Sequence, residues 1–486
     1  MAVDSKRASG FLALSRFGYG ARGSSDDLAR AASDPRAFFK AELATPDIAL
    51  LQRPTLPTTK TALQTLYAEQ ERIQLARQEK KANEATEPAR PAPSGEAMSA
   101  TDAQKTPDAK AMKAEPPVPQ QLFRADALAR FQTIAAAEAG FVERLVQFWS
   151  NHFCISAAKG GPVRATAGCF EREAIRPHVL GRFADMLRAV TSHPAMLVYL
   201  DNAQSFGPGS VAGQRRKSGL NENLAREILE LHTLGVGSGY TQADVTSLAR
   251  ILTGWTFAGR EGRIGEPGQF AFFPNGHEPG DHRLLGKLYQ AGGVEQGEAA
   301  LADLARHPAT ARHVARKLAQ HFVADEPPQE LVDRLARTFG KSVGDLKAVA
   351  LTLLDSDEAW SSERSKIRSP QEFLMAAVRA VSRVPEDPGL ILGPLNVLGM
   401  PLWQPPGPNG WPDTVAAWAT PKGMKSRLDI SAAIAARLKE SIHPGELLDA
   451  TLGEVASRET RQAVTRAESR QQGLALLLMS PEFQWR

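Results

Sequence analysis

The sequence is short of cysteine, of long apolar runs and of any charge imbalance, and each shortage removes a class of protein. Only Cys154 and Cys169 are present, too few for a disulfide framework and without zinc-site spacing. Two buried thiols are the expectation, and pairing in an oxidising compartment stays open. No stretch approaches the roughly 20 apolar residues of a membrane-spanning helix, and Phe11-Leu12-Ala13-Leu14 is too short for a secretory core. The expected location is therefore cytoplasmic, with a periplasmic or exported one as the alternative. The 58 basic residues barely exceed the 54 acidic ones and alternate with them along helices, so the basic stripe that nucleic acid requires is missing. G-x-S-x-G, Walker and G-x-G-x-x-G motifs are absent too, which removes the serine hydrolase, P-loop and Rossmann readings.

What is present is helical periodicity from end to end, with few alternating Val/Ile/Thr runs. The expected fold class is all-α, a compact multi-helix single unit with long Gly/Pro-rich loops and a disordered insertion. Residues 1–80 read as the N-terminal helical part of the core, 81–120 as the insertion, and 121–486 as the main helical domain. The insertion is rich in Ala, Pro, Glu, Lys and Ser, and cannot bury enough surface to offset its ordering entropy. Helices are expected as a pair over 24–44, over 58–80, from Leu122, over 170–190, 193–202, 221–234, 241–253, 308–323 and 461–479, among others. Loops are expected over 204–219, 258–294 and 399–424. Large apolar residues surround most of the segment from Phe141 to Trp149, so that helix should be central.

Nine of the ten histidines lie between His152 and His321, and histidine is the side chain that most readily carries a proton or binds a metal near neutral pH. At 100° per residue, Leu224, Ala225, Ile228, Leu229 and Leu231 form an apolar arc, opposite Glu222, Asn223, Arg226, Glu227 and Glu230. His232 and Asn221 fall inside the apolar arc, where each needs a hydrogen-bond partner. His152 ends the central helix beside Asn151. It is either a helix-end cap or a neutral imidazole able to bind metal or move a proton. His178 and Asp201 lie at helix boundaries, and Asp201, Glu222 and Glu227 are of the type that hard divalent cations take. His277 and His282 are five apart, with Pro279 and Gly280 between them, so helical H-E-x-x-H geometry is unavailable. His313, Lys317 and His321 share one side of a helix.

Six ordered motifs then carry a resemblance. They are Phe148-Trp149-Ser150-Asn151-His152-Phe153; Arg176 to Phe183; Asn221 to Glu227 with Leu234-Gly235-Val236; Tyr240 to Val245 leading to Leu252-Thr253-Gly254-Trp255; His277-Glu278-Pro279-Gly280 before Leu285-Gly286; and Gly399 to Trp403 leading to Gly410-Trp411-Pro412. Outside the 81–120 insertion the chain resembles the bacterial family called domain of unknown function 1800. That resemblance implies one all-helical unit, and places Asn151, His152, Glu222, Arg226, Glu227 and His277 at family-pattern positions. It also implies Phe at position 232 in many relatives, and export beside a sulfatase-like partner family.

The leading expectation is an enzyme, with a divalent metal as candidate cofactor, whose site joins the end of the 141–152 helix to the start of 221–234. Its candidate catalytic residues are His152, Asn151, Arg226, Glu227, Glu222, His178 and His277, and its candidate metal ligands His152, Glu222, Glu227 and Asp201. The alternatives are a haem or non-haem iron oxidoreductase, and a non-catalytic helical scaffold that binds a partner such as the sulfatase-like protein.

Overall fold

A computed structural model describes residues 2–86, 115–216, 219–361, 363–438 and 442–486. The expected insertion over 81–120 is narrower at both ends. The Thr59–Thr86 helix continues past 80, the next helix starts at Val118, and residues 87–114 lie outside the described part. Most of the other described residues are helical, as the periodicity requires.

One continuous apolar core runs from Phe11 in the first helix to Phe483 near the end. The Phe141–His152 helix lies at its centre, with Phe141, Val142, Leu145, Val146, Phe148 and Trp149 all buried. Its start is capped from far away in sequence. The Glu42 carboxylate accepts from the backbone N–H groups of Gly140, Phe141 and Val142 at 3.0, 2.8 and 3.2 Å, meeting donors that no intrahelical carbonyl can reach. Local capping explains other starts. Thr241 and Asp244 form a reciprocal capping box on the Gln242–Ile251 helix, and Ser369 and Glu372 form another on Pro370–Ala380.

Three expectations are corrected. The 170–190 helix is broken, with a π-turn at Glu171–Ile175, a 3-10 turn at Arg176–His178 and a new helix at Phe183–Ser192, because Pro177 cannot continue the ladder. The 461–479 helix is likewise two helices, Arg458–Thr465 and Arg470–Met479. The 258–294 loop overlaps two antiparallel ribbons: β1 (Trp255–Phe257) with β2 (Phe270–Phe272), and β3 (His282–Leu284) with β4 (Lys287–Tyr289). Leu285 and Gly286 join β3 to β4 with φ of 50° and 79°, the left-handed pair that a two-residue hairpin favours.

Helix ends inside this core are closed by buried arginines. Arg144 Nη1 donates to the carbonyls of Arg16 and Gly18, just past the first helix. Arg379 donates to those of Ile134, Ala135, Ala137 and Glu138 at the end of Val118–Ala136. Arg16 does the same for Ala359 and Ser361. Replacing Arg379 with Leu strands several buried carbonyls, each costing on the order of 1–3 kcal/mol. Urea unfolding should show a loss of about 3 kcal/mol or more, against little change for Arg263→Ala, whose side chain is 81% exposed.

Candidate functional site

The C-terminal end of the 141–152 helix separates two polar regions. On one side, His152 is buried and its Nε2 lies 3.1 Å from the backbone oxygen of His232. A carbonyl only accepts, so Nε2 carries the proton. His313 Nε2 donates in the same way to Leu231 O at 3.0 Å. Both carbonyls belong to the π-turn Ile228–His232 that follows the Asn223–Glu227 helix, and they lack intrahelical donors. His152 is therefore a cap, though of a neighbouring helix and in its neutral form. Its ring centre is 6.3 Å from that of His232 and 6.0 Å from that of His313. Burial, followed by Lys317 and the neighbouring imidazoles, holds His152 well below the ordinary histidine range. Burial likewise brings His232 down to about 3.

The other expected site residues are not gathered around it. Glu222 accepts from Arg226 at 3.1 Å, Gln242 at 2.8 Å and Thr246 at 2.7 Å, a partly exposed cluster that ties the 223–227 and 242–251 helices together. Glu227 is half-buried, and burial followed by the Glu230 charge raises it. His178 is half-buried beyond the first π-turn, and burial lowers it. His277 Nδ1 donates to Thr253 O at 2.8 Å, again just past a helix end. Asp201 pairs with Lys159 at 2.6 Å. Among the described residues no three His, Cys, Asp or Glu side chains form a group that could hold a metal ion, so His152, Glu222, Glu227 and Asp201 are not brought together as a ligand set. Cys154 and Cys169 are both free and buried.

The other side of the helix end is a cleft in which polar groups are set among apolar ones such as Ile155, Met400, Leu402 and Pro405. Its walls come from Gln147, Ser150, Asn151 and Cys154, from His321 on the Pro308–Phe322 helix, from Gln371 and Glu372, and from Trp403, Trp411 and Asp413 in the 399–413 loop. Asn151 holds that loop, donating through Nδ2 to Trp411 O at 2.9 Å and accepting from Trp411 N at 2.8 Å. Gly410 sits against this pair at φ +75°, where a Cβ would lie 2.6 Å from Asn151 O. Here the His313, Lys317 and His321 stripe turns out to face the interior. His321 Nδ1 lies 2.6 Å from Asp413 Oδ2, and Arg144 Nη2 is 3.2 Å from its Nε2. Arginine only donates, so Nε2 is the acceptor and the proton sits on Nδ1, facing Asp413.

Charged groups beneath the cleft are closely paired. Glu372 meets Arg144 at 2.7 Å and Arg486 at 3.1 Å. Burial pushes its carboxyl up, but the two guanidiniums outweigh this and bring it to about 2. Glu171, in the first π-turn, meets Arg130 at 2.8 Å and Arg176 at 3.0 Å, and accepts from Ser150 and Trp403. Arg176 also forms a two-pronged pair with Glu143 at 2.7 and 2.9 Å. Lys366 bridges Asp325 at 2.8 Å and Asp413 at 3.3 Å.

A family model described as protein of unknown function (DUF1800) matches residues 12–485. The chain belongs to the DUF1800 family. No curated protein and no solved structure matches it. In this DUF1800 chain the cleft draws on two motifs read from the sequence, Phe148 to Phe153 and Gly399 to Pro412. Among the described residues on its wall, Asn151 alone is an expected site residue. Reasoning from sequence missed Arg130, Glu171, Glu372 and Asp413, whose partners lie far along the chain. His321 was signalled by its stripe, and Trp403 and Trp411 by their motifs.

Two predictions concern these regions. Burial disfavours the charged imidazole of His232, so below about pH 6.5 the unfolded chain binds a proton that the folded one refuses. Stability is therefore fullest above that pH and falls on acidification. His232→Phe should flatten the decline between pH 7 and 4, as read by urea midpoints. Gly410→Ala should cost about 1–3 kcal/mol in strain and alter the Trp411 fluorescence, since the loop must leave Asn151.

Proposed function

We propose that the protein is an enzyme performing general acid–base chemistry in this cleft, with His321 as proton carrier and Asp413 as the carboxylate that orients it. The observation that carries this reading is the 2.6 Å contact between Asp413 Oδ2 and His321 Nδ1 at the cleft wall. With Nδ1–H facing Asp413, the Nε2 lone pair is the one available to a substrate proton. Arg144 shares that lone pair, and a substrate donor would take its place. Burial lowers His321 and Asp413 opposes this, so the resting imidazole is neutral and able to accept a proton at pH 7. The imidazolium formed on transfer then gains the Asp413 charge beside it. Burial raises Asp413, but His321 and Lys366 outweigh that and hold it well below the ordinary carboxylate range, so it stays an anion throughout.

The scaffold reading is the second, and it rests on His152, His277 and His313 all donating to carbonyls at helix ends. His321→Gln separates the two. Under the enzyme reading the fold survives, and any turnover found by screening small polar metabolites falls by about 10²–10⁴-fold. Nitrogen NMR should also show the Nδ1–H tautomer for His321, with a midpoint below 6.5. A normal midpoint, or turnover unchanged in His321→Gln, overturns the acid–base role.

A further inference from the structure

Among the described residues Arg130 is the one guanidinium on the cleft wall, and its side chain is only 3% exposed. Its Nε faces Glu171, yet its Nη1 is buried without any hydrogen-bond partner. An orphaned donor on a buried cation is costly, and it marks a place where an acceptor is missing. Glu171 is not that acceptor for Nη1, being already engaged by Arg176, Ser150 and Trp403.

The charge balance below the cleft points the same way. Arg144, Arg368, Arg427 and Arg486 are fully buried around Glu372, with the Asp413 carboxylate also within electrostatic reach of Arg144 and Arg486. Arg144 and Arg486 pair with it, whereas Arg368 and Arg427 find only neutral acceptors: Phe483 O and Ser15 Oγ for one, Gln484 Oε1 and Arg368 O for the other. Asp413 redresses this only in part: it shares Lys366 with Asp325, so that trio leaves one negative charge against the three arginines that Glu372 does not balance. Arg486 Nη1 and Arg144 Nε are further buried donors without partners. The wall that carries Glu372 therefore has an excess of positive charge behind it, and a low-dielectric surround strengthens its pull on an anion.

We infer that the cleft holds an anion subsite at Arg130, and that its ligand is the carboxylate of a small organic acid. The inference rests on the reading of this cleft as the working site and names its substrate class. Size favours a carboxylate over a phosphate ester. The cavity is about 50 Å³, room for roughly four waters at ~10–15 Å³ each, which suits a two- or three-carbon acid. The planar guanidinium fork also matches a carboxylate's two oxygens. Trp403, whose ring lies 5.9 Å from the Arg130 guanidinium carbon, supplies an apolar wall for the acid's carbon atoms.

The test is titration of the full chain with sodium acetate, sodium propionate and, at matched ionic strength, inorganic phosphate, followed by calorimetry and by the Trp403 indole N–H signal. Acetate and propionate should shift that signal saturably and phosphate should not. Arg130→Gln should weaken acetate at least tenfold, with Arg130→Lys in between, because it keeps the charge and loses the fork. If Arg130→Gln fails to fold, the wild-type titration decides alone. No saturable Trp403 shift, phosphate binding as tightly as acetate, or unchanged affinity in folded Arg130→Gln overturns the inference. His321→Gln should keep acetate binding. Acetate bound at Arg130 while His321 shows no acid–base role would sink the proposed function alone. Turnover through His321 of uncharged compounds only, with no acetate response, would sink the anion subsite alone.

Discussion

A helix that ends inside a protein leaves its last carbonyls without partners, and this chain, built from many short helices around one core, has many such ends to close. Local caps close only some of them. The rest are met by long donors arriving from elsewhere in the sequence: Arg144 at the first helix, Arg379 at Val118–Ala136, Arg486 at His321 O, and His152 and His313 at the π-turn Ile228–His232. An arginine can serve several carbonyls at once because its five N–H groups fan out in a plane. That requirement brings cations into a core that would otherwise be apolar.

Buried cations in turn require anions. Glu143, Glu171 and Glu372 are each within 2 to 4% of full burial and each is paired with arginine. Such pairs are poor sources of stability in themselves, since desolvation offsets much of their attraction, but they are costly to break once formed. They fix the relative placement of helices that share little sequence contact. Glu372 shows the economy of the arrangement, because it serves as the N3 member of a capping box and as the partner of Arg144 and Arg486 at once. The cleft lies where this network meets the 399–413 loop, and its chemistry is inherited from groups whose first task is architectural.

Much of the architecture was legible along the chain. The all-helical class and the central place of the 141–152 helix, apolar around most of its surface, followed from spacing and side-chain size alone. The breaks at Pro177 and between residues 465 and 470, and the short ribbons β1 to β4, were not. Three-residue strands are too brief to show a period, and a π-turn has no signature in side-chain pattern. The site was legible only in fragments. His152, Glu222, Arg226 and His277 stood out by type and neighbourhood, yet a histidine donating to a helix-end carbonyl looks the same in sequence as one poised for proton transfer. Asn151 reached the cleft as a clamp on Trp411, a role set by a residue 260 positions away.

The sequence by itself determined which segments coil, which faces are apolar and where polar residues sit against that pattern, because helical periodicity is a local property. Only the tertiary structure decided which polar groups meet. His321 with Asp413, Arg144 with Glu372 and Arg130 with Glu171 join residues 92, 228 and 41 positions apart. An ion pair has no period along a chain; it exists only where packing sets a donor and an acceptor within reach and removes the water that would otherwise separate them.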